Sequence, residues 1–573
     1  MKKSPPEETQ NNLILKYTLK NAFDFHGKAN PKAVLGMVLK DDENFKKDVP
    51  AVLKEIEKTV KEIATLSPEK IRQRLREIAP ELLQEHQETW TGPLKPLPKA
   101  VKGKFVVRIA PSPSGPLHIG HAYGVSLNSE YAKMYHGKLI LRIEDTNPEN
   151  IYPPAYELIE TDAQWLTGNN VSQVVVQSSR LGIYYDYAEK LVQMNKAYVC
   201  TCNADTWREL KNQGKPCPCR NLTLKDNQQR YAKMFGEYAE GEAVLRLKTD
   251  ITHKNPAMRD FGILRIVEHV HPKLGKAQRV WPLMVYSVAI DDHELGITHV
   301  LNGKDHFDNA IKERMIMEDL GWTPPEYHHW GRINFEGFEL STSKTRLAIE
   351  QKQYSGWDDP RLPFLPALRK RGYQPEAFQK FALETGLSST DKTVSSEEFW
   401  KMINSFNKET IEPRANRYFF IDDPVEIKVA GCPEKEVTLD LHPDFPPRGQ
   451  RQFHINGTFY ISQSDFRHLG EEYMHRLMDC VNFELKGNYF RYVSEAYEEY
   501  KKAVNKGHII HWLPVKDPVT VEIVMDTGAI ITGKGEKSLQ QVKPGEIIQL
   551  ERRYFARRDI KENNKYKFWY LHK

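Results

Sequence analysis

What is scarce in this sequence narrows it first. Only six cysteines stand among 573 residues, too few for a disulfide scaffold. Four of them fall in two C-x-C pairs, and in an intracellular chain such clustering reads as metal binding before disulfide. Long apolar runs are missing too. The best, from Val280 to Ile290, is broken by Pro282 and ends at Asp291-Asp292. It falls well short of the ~20 residues that span a bilayer, so no membrane partner is expected. The start MKKSPPEETQNN carries a basic pair with no apolar segment behind it, which excludes a secretory signal there and sets the expectation of a cytoplasmic protein. Excess charge is small, since 82 Lys and Arg against 77 Asp and Glu leave +5. Such a balance permits a nucleic-acid partner without demanding one. Neither an internal repeat nor a long low-complexity segment stands out.

What is present is an ordinary globular balance, 40% hydrophobic and 28% charged, which excludes a largely disordered chain. At roughly 150 residues per domain, three or four domains are expected. Residues 1 to about 90 read helical: Val52, Leu53, Ile56, Val60 and Ile63 recur at helical spacing. Ser67-Pro68 then reads as an N-cap with proline at the first helical position, and Ile71, Leu75 and Ile78 continue an apolar stripe. The run TGPLKPLPKAVKGK from Thr91 to Lys104 reads as a linker. From Phe105 to about Gly372 short apolar strands alternate with amphipathic helices. Phe105–Ile109 and Lys138–Ile143 flank a helical stretch from about Gly120 to His136, a βαβ unit that implies a parallel, doubly wound sheet. After Tyr418 the texture becomes strand and turn. Val425–Val429 alternates, Asn456-Gly457-Thr458 signals a hairpin, and Val519–Val524 and Glu546–Leu550 add strands. An all-β C-terminal region of one or two barrels is expected.

The most informative segment is Arg108-Ile-Ala-Pro-Ser-Pro-Ser-Gly-Pro-Leu-His-Ile-Gly-His121. A strand ends near Ile109, the prolines and Gly115-Pro116 force a tight loop, and a helix opens at His118. His118 and His121 are spaced i, i+3, as on one helix face. Unpaired N–H groups and the macrodipole at a helix start favour bound phosphate. Imidazoles there can donate hydrogen bonds to phosphate oxygens as charge shifts in a phosphoryl-type transition state. Gly120 leaves room for an adenine ring to approach the backbone. A bare H-x-x-H is often incidental or metal-binding; its position after a strand and a Pro/Gly loop favours nucleotide binding.

The segment resembles the HIGH signature of class I aminoacyl-tRNA synthetases, and RIAPSPSGPLHIGHA followed by LRIEDTNPEN resembles their glutamyl/glutaminyl subfamily. Further matches are Asp291-Asp-His-Glu-Leu-Gly-Ile-Thr-His299, Leu301-Asn-Gly-Lys-Asp-His306, Tyr354-Ser-Gly-Trp-Asp-Asp-Pro-Arg-Leu362 and Pro413-Arg-Ala-Asn-Arg-Tyr-Phe419. The helical start with His26-Gly-Lys-Ala29 and the β-rich C-terminal part resemble the archaeal glutamyl enzymes. The resemblance implies a Rossmann-type catalytic core and a two-step reaction of L-glutamate with Mg-ATP and then tRNA(Glu), with tRNA(Gln) as a second acceptor left open. It divides the chain into a helical appended domain with linker (1–100), a first catalytic half (101–200), an acceptor-binding insertion (201–280), a second catalytic half (281–375), a helical connector (376–415) and anticodon-binding barrels (416–573). A monomer is expected.

By position, the resemblance assigns His118, His121 and Lys344 to catalysis, and Pro111, Ser114, Gly115, His118, Gly120, His121, Arg332 and Lys344 to ATP. Arg108 would bind a carboxylate of the amino acid through its planar fork, assisted by Ser112, and Glu144 would receive the α-ammonium. An ordinary surface ion pair is the alternative for Arg108 and Glu144, disfavoured by their place at the carboxyl ends of neighbouring strands. The family's K-M-S-K-S loop reads Ser341-Thr-Ser-Lys-Thr345, keeping one lysine of two. A tyrosine of the wider subfamily falls at Met284, with Tyr286 two residues on as the amino-acid-binding candidate. The arginine that selects side-chain charge falls at Asn302, which supplies no counter-charge. Asp308 aligns with a contact to the tRNA acceptor stem, with a plain surface aspartate as the alternative.

Cys200-Thr-Cys202 and Cys217-Pro-Cys219, separated by fourteen residues, suit a tetrahedral structural Zn²⁺; four reduced cysteines are the alternative. In the C-terminal region Arg448, Arg451, Arg552, Arg553, Arg557 and Arg558 lie near Tyr554 and Phe555, a mixture suited to single-stranded anticodon bases. Two other readings stand beside glutamate–tRNA ligation. One is a glutaminyl-tRNA synthetase, and the other is a non-catalytic tRNA-binding relative, for which Ser341 and Asn302 speak.

Overall fold

The computed structural model describes residues 7–24, 27–79, 82, 94–562 and 565–573. The chain divides into two compact units, 1–92 and 93–573. In the first, four helices α1 (Glu7–Asp24), α2 (Pro31–Asp41), α3 (Val49–Ile63) and α4 (Pro68–Ile78) pack on one another. The Ser67 side chain accepts from the Lys70 N–H and Pro68 opens α4, so the missing proline donor falls where no helical bond is lost. Ile56, Ile63, Ile71 and Leu75 are buried, whereas Ile78 is exposed and ends the stripe one turn early. His26 and the start of the linker, Thr91-Gly92-Pro93, lie outside the described residues.

The second unit is built on parallel strands β1 (Val106–Ile109), β2 (Lys138–Ile143) and β3 (Val171–Val176), in the order β1-β2-β3. Helices α5 (Ile119–Met134) and α6 (Ala155–Thr167) make the crossovers. Leu139, Leu141 and Ile143 are buried, and so are Ile140 and Arg142 on the other face. A strand covered on both faces needs this nearly continuous apolar run. After α7 (Leu181–Gln193), an antiparallel insertion follows, made of β4 (Ala197–Cys200), β5 (Val244–Leu247), β6 (Gly262–Ile266) and β7 (Val280–Pro282), with α8 (Ala204–Asn212) and α9 (Leu224–Met234) between β4 and β5.

The chain re-enters the core through α10 (Met284–Glu294), β8 (His299–Gly303), α11 (Phe307–Asp319) and β9 (Glu326–Trp330), with β8 and β9 parallel. Thr298 seats β8 beside β1: its N–H donates to the Val106 carbonyl, and its Oγ1 accepts from the Val106 N–H, each at 3.0 Å. The chain therefore leaves β1 toward β2 on one side and returns to β8 on the other. That reversal is the switch point where open α/β sheets form ligand crevices, at the carboxyl ends of the strands.

The β-rich C-terminal part holds two seven-stranded sheets with separate cores. Adjacent Phe419 and Phe420 point into different cores, as alternation along an extended chain requires. Two β units are thus present where one or two were expected. Of the arginines expected to face RNA, Arg451 and Arg558 are buried, Arg448, Arg553 and Arg557 are half-buried and Arg552 is exposed. Arg451 is buried, 2.7 Å from both Glu536 and Glu551, with its guanidinium over Phe419. Buried Arg558 donates to the Leu539 and Val542 carbonyls, Arg557 to the Lys370 carbonyl and Arg448 to the Pro413 carbonyl, while Arg553 pairs with Asp422 at 2.7 Å. Tyr554 and Phe555 are buried as well. Among the described residues no helix is long and apolar enough to cross a membrane.

Candidate active site

At the carboxyl ends of β1, β2 and β8 lies a cavity of about 310 Å³. Arg108, Pro111, Ser112, Gly120, His121, Glu144 and Asn302 all line it, residues spread over nearly two hundred positions of sequence. Met284, Val288, His306, Glu313 and Trp330 are also in its wall. Ser114, Gly115 and His118 belong to the adjoining loop.

His118 is the N-cap of α5, with extended φ −129° and ψ 176°. This corrects the reading of both histidines on one helix face. His118 Nδ1 accepts the Gly120 N–H at 3.0 Å, and His121 Nδ1 accepts the His118 N–H at 3.3 Å. Two imidazoles thus form the reciprocal cap usually made by Ser and Glu, with ring centroids 3.8 Å apart. Because each Nδ1 accepts, a neutral ring carries its hydrogen on Nε2. Burial holds His121 down to about 4, and burial reinforced by His121 holds His118 well below the usual imidazole value. Both are neutral at pH 7 and keep an Nε2–H donor for a ligand.

Arg108 and Glu144 do not pair with each other. Arg108 is buried and its Nε and Nη2 donate to the two Asp292 carboxylate oxygens at 3.0 Å each. Its Nη1 has no hydrogen-bond partner among the described residues. The guanidinium expected for a substrate carboxylate is therefore partly occupied, and both hydrogens of Nη1 remain to donate. Glu144 accepts from Arg142 Nη2 at 2.8 Å, and fully buried Arg142 also donates to Asp292 at 3.1 Å. Asp291 is held by Arg180, Tyr184 and Gln177. Glu313 reaches the cavity wall with its Oε2 buried and unpartnered, and burial pushes its carboxyl up to about 7 against the pull of Arg108.

Several expected site residues lie elsewhere. Tyr286 is fully buried in the insertion-side core and donates to the Tyr184 carbonyl at 2.7 Å. Met284 and Val288, one helical turn apart on α10, face the cavity, which turns Tyr286 the other way. Asp308, in the first turn of α11, is exposed and 3.5 Å from Asn255 Nδ2. Arg332 is exposed, paired with Asp305 at 2.7 Å. The Ser341–Thr345 segment opens α12 (Thr342–Glu350), with Ser341 as its N-cap. Lys344 is exposed and pairs with Glu339 at 3.2 Å. The two signature loops nevertheless touch: Ser114 Oγ and Thr342 Oγ1 are 3.1 Å apart. A Cβ at Gly115 would stand 3.1 Å from the Thr342 methyl and 3.2 Å from the Trp357 ring, so this position has little room for a side chain.

Asn302 stands beside His329 in the parallel register of β8 and β9, and its Oδ1 is 2.6 Å from His329 Nδ1. Burial, with His306, His328 and Arg314 nearby, holds His329 below the usual imidazole range, against a hydrogen bond to the Gly303 backbone. Sequence reasoning assigned no role to Arg142, Asp292, Glu313 or His329. An arginine inside the apolar strand Leu-Ile-Leu-Arg-Ile, and two aspartates ending an apolar helix, were the available signals.

In the insertion, Cys200, Cys202, Cys217 and Cys219 bring all four Sγ atoms within 4.8 Å of one another. The Cys200–Cys217 and Cys202–Cys219 separations are 3.8 and 3.7 Å. A tetrahedron with metal–sulfur bonds of about 2.3 Å has edges of about 3.8 Å. Hydrogen bonds from Cys200 and Tyr198 hold the Cys217 thiol down to about 5, and Arg230 Nη1 donates to Cys219 Sγ at 3.2 Å. The donor set fits a metal that takes thiolates.

The crevice lies at the switch point of an open α/β sheet, and the chain belongs to the class I tRNA synthetases of the E and Q type. Residues 104–413 match the catalytic domain of that family, and 415–498 and 509–559 match its anticodon-binding domains. Among curated relatives, the glutamate–tRNA ligase of Methanothermobacter thermautotrophicus is 43% identical over 562 residues, covering 98% of this chain and 99% of its own. That of Pyrococcus abyssi is 44% identical over 573 residues, with the same coverage. A solved glutamate tRNA ligase from Elizabethkingia meningosepticum, in complex with its amino acid, is similar over 55% of this chain and 70% of its own, at 19% identity and a TM-score of 0.39.

Proposed function

We propose that this chain ligates L-glutamate to tRNA(Glu) at the expense of ATP, with tRNA(Gln) as a candidate second acceptor. The α-carboxylate of glutamate attacks the α-phosphorus of Mg-ATP, forming glutamyl-adenylate and releasing pyrophosphate. A ribose hydroxyl at the tRNA 3′ end then attacks the acyl carbon, forming the ester and releasing AMP. No enzyme nucleophile is required, so the protein's work is positioning and charge stabilisation. The observation that carries the reading is one cavity where an Arg108 donor, the Glu144 carboxylate and the neutral His121 ring converge. In this reading the free Nη1 of Arg108 takes a glutamate carboxylate and Glu144 the α-ammonium, with Ser112 beside them. His118, His121 and the Gly120 backbone hold the triphosphate, and Lys344 reaches the leaving pyrophosphate. Tyr286 has no part in it, and Arg332 joins only by leaving Asp305.

Aminoacylation of tRNA(Glu) and tRNA(Gln) transcripts with labelled glutamate or glutamine tests the reading. Glutamate charging of tRNA(Glu) is expected. Charging with glutamine alone would establish the glutaminyl alternative, since the neutral amide of Asn302 can bond a carboxamide as well as a carboxylate, and no charging at all would leave only a tRNA-binding role.

We infer further that the four cysteines hold one structural Zn²⁺. Purified protein is expected to carry about one zinc per chain by elemental analysis. Cys217→Ser should lower that content severalfold and loosen the insertion to proteolysis, whereas Cys480→Ser should leave the zinc in place. A metal-free wild-type protein with an intact insertion would exclude the assignment.

A further inference from the structure

Asn302 lines the cavity and stands where the family resemblance puts amino-acid selection. Its side chain has two ends of nearly equal shape. One end accepts hydrogen bonds and the other donates them, so which end faces the cavity decides what the site can recognise. Among the described residues the side chain makes one hydrogen bond, to His329. The parallel register sets Asn302 directly beside His329 on one face of the β8–β9 pair, with Asn302 Oδ1 and His329 Nδ1 2.6 Å apart. With the amide oxygen on that side, the hydrogen of the contact sits on His329 Nδ1. The ring itself is held by its neighbours: it hydrogen-bonds the Gly303 backbone on the same strand as Asn302, Phe307 meets it edge-on, with centroids 5.6 Å apart, and Tyr327 lies nearly parallel to it at 6.4 Å.

We propose that His329 is a positioning residue for amino-acid selection. By holding the oxygen of Asn302 it turns the amide nitrogen toward the cavity, so the site offers a donor matched to a carboxylate. The inference rests on the glutamate reading above. Arg108, which lines the same cavity, adds a second donor, its unpaired Nη1. A carboxylate accepts from both donors at once. A carboxamide can satisfy one with its oxygen but brings its own NH₂ against the other, leaving like groups face to face. Selection of this kind needs no counter-charge at position 302, which answers the question raised by an amide where the resemblance expects arginine.

Steady-state aminoacylation of tRNA(Glu) transcript by the full chain tests this, with kcat and KM measured separately for glutamate, glutamine and ATP. His329→Phe keeps the ring and removes the donor. Its KM for glutamate is expected to rise roughly tenfold, with kcat and the KM for ATP within about twofold, and the preference for glutamate over glutamine should fall roughly tenfold. His329→Asn can place an N–H where Nδ1 lies and should recover most of that preference. Asn302→Asp, which keeps the shape and removes the donor, should lose glutamate use by more than the phenylalanine variant does; it serves also if the latter fails to fold. An unchanged or increased preference in His329→Phe overturns the inference, because the amide would then present its oxygen to the cavity. A KM for ATP that rises in step with that for glutamate overturns it too, as does absence of rescue by asparagine. Wild-type charging in the same assay separates the two levels. If the wild type does not use glutamate, the functional reading itself fails. If it does and the variants keep its selectivity, only the role of His329 fails.

Discussion

His121→Ala is expected to slow adenylate formation by about 10²–10³-fold, the range seen when one preorganised donor is removed from a developing negative charge. Pyrophosphate exchange with tRNA present, or single-turnover adenylate formation, measures it. Affinity for tRNA, read by filter binding, should change less than about twofold, because His121 is on the cavity wall. Equal losses in both would make the residue structural. The reciprocal cap sharpens the expectation. His121 Nδ1 accepts the His118 N–H, so the alanine variant loses a donor toward the ligand and a support for its neighbour. His121→Asn can restore the cap and should recover part of the rate. With the folded value of His121 near 4 and that of His118 well below the usual range, neither ring titrates between pH 6 and 8. The wild-type rate should show no limb from them there. Acidification toward pH 4 protonates Nδ1 of His121 and removes the acceptor for the His118 N–H, so activity falls on that side.

The second large effect is expected from Asp292→Asn. Asp292 is buried and accepts two hydrogen bonds from Arg108 and one from Arg142, itself fully buried. Its carboxylate is what allows two guanidinium groups to lie side by side in the core. The amide keeps the shape but removes the charge and turns an NH₂ toward one of the arginines. Breaking a buried pair in this way costs about 3–5 kcal/mol, because the charge left behind is neither solvated nor balanced. Urea unfolding followed by tryptophan fluorescence should show the catalytic transition moved to lower denaturant, and KM for glutamate should rise with it as Arg108 loses its orientation. A variant with wild-type midpoint and KM would show that Asp291 and Glu144 suffice to hold both arginines.

Much of the architecture is legible in the sequence because short-range chemistry writes it there. The nearly continuous apolar run at β2, Ser67-Pro68 at α4 and the Pro/Gly loop before His118 each act within a few residues. Cysteine pairs are visible for the same reason: two tight dipeptides in one insertion have few ways to lie apart. What sequence reading misses depends on which way a side chain points across the fold. Tyr286 falls two residues from Met284, yet two steps on a helix turn it into the core. The C-terminal arginines read as a basic surface, but Arg451 and Arg557 are held by carboxylates and a carbonyl brought in from 85 to 187 residues away. Arg142 and Asp292 are visible as charges in apolar runs; that they answer each other appears only when β2 and α10 meet. His329 lacks even such a signal, since its partner is set by strand register.

The pairing of Lys344 with Glu339 bears on how fast the reaction can be reset. Both side chains are exposed, and the contact is a single 3.2 Å approach, the kind of ion pair that water and salt nearly cancel. Meanwhile the start of α12 is already moored to the other signature loop through Thr342 and Ser114. If Lys344 serves a triphosphate as proposed, freeing it from Glu339 asks only for rotamer changes in exposed side chains, motions of picoseconds to nanoseconds. On that proposal, release of this ion pair is too fast to leave a kinetic trace of its own.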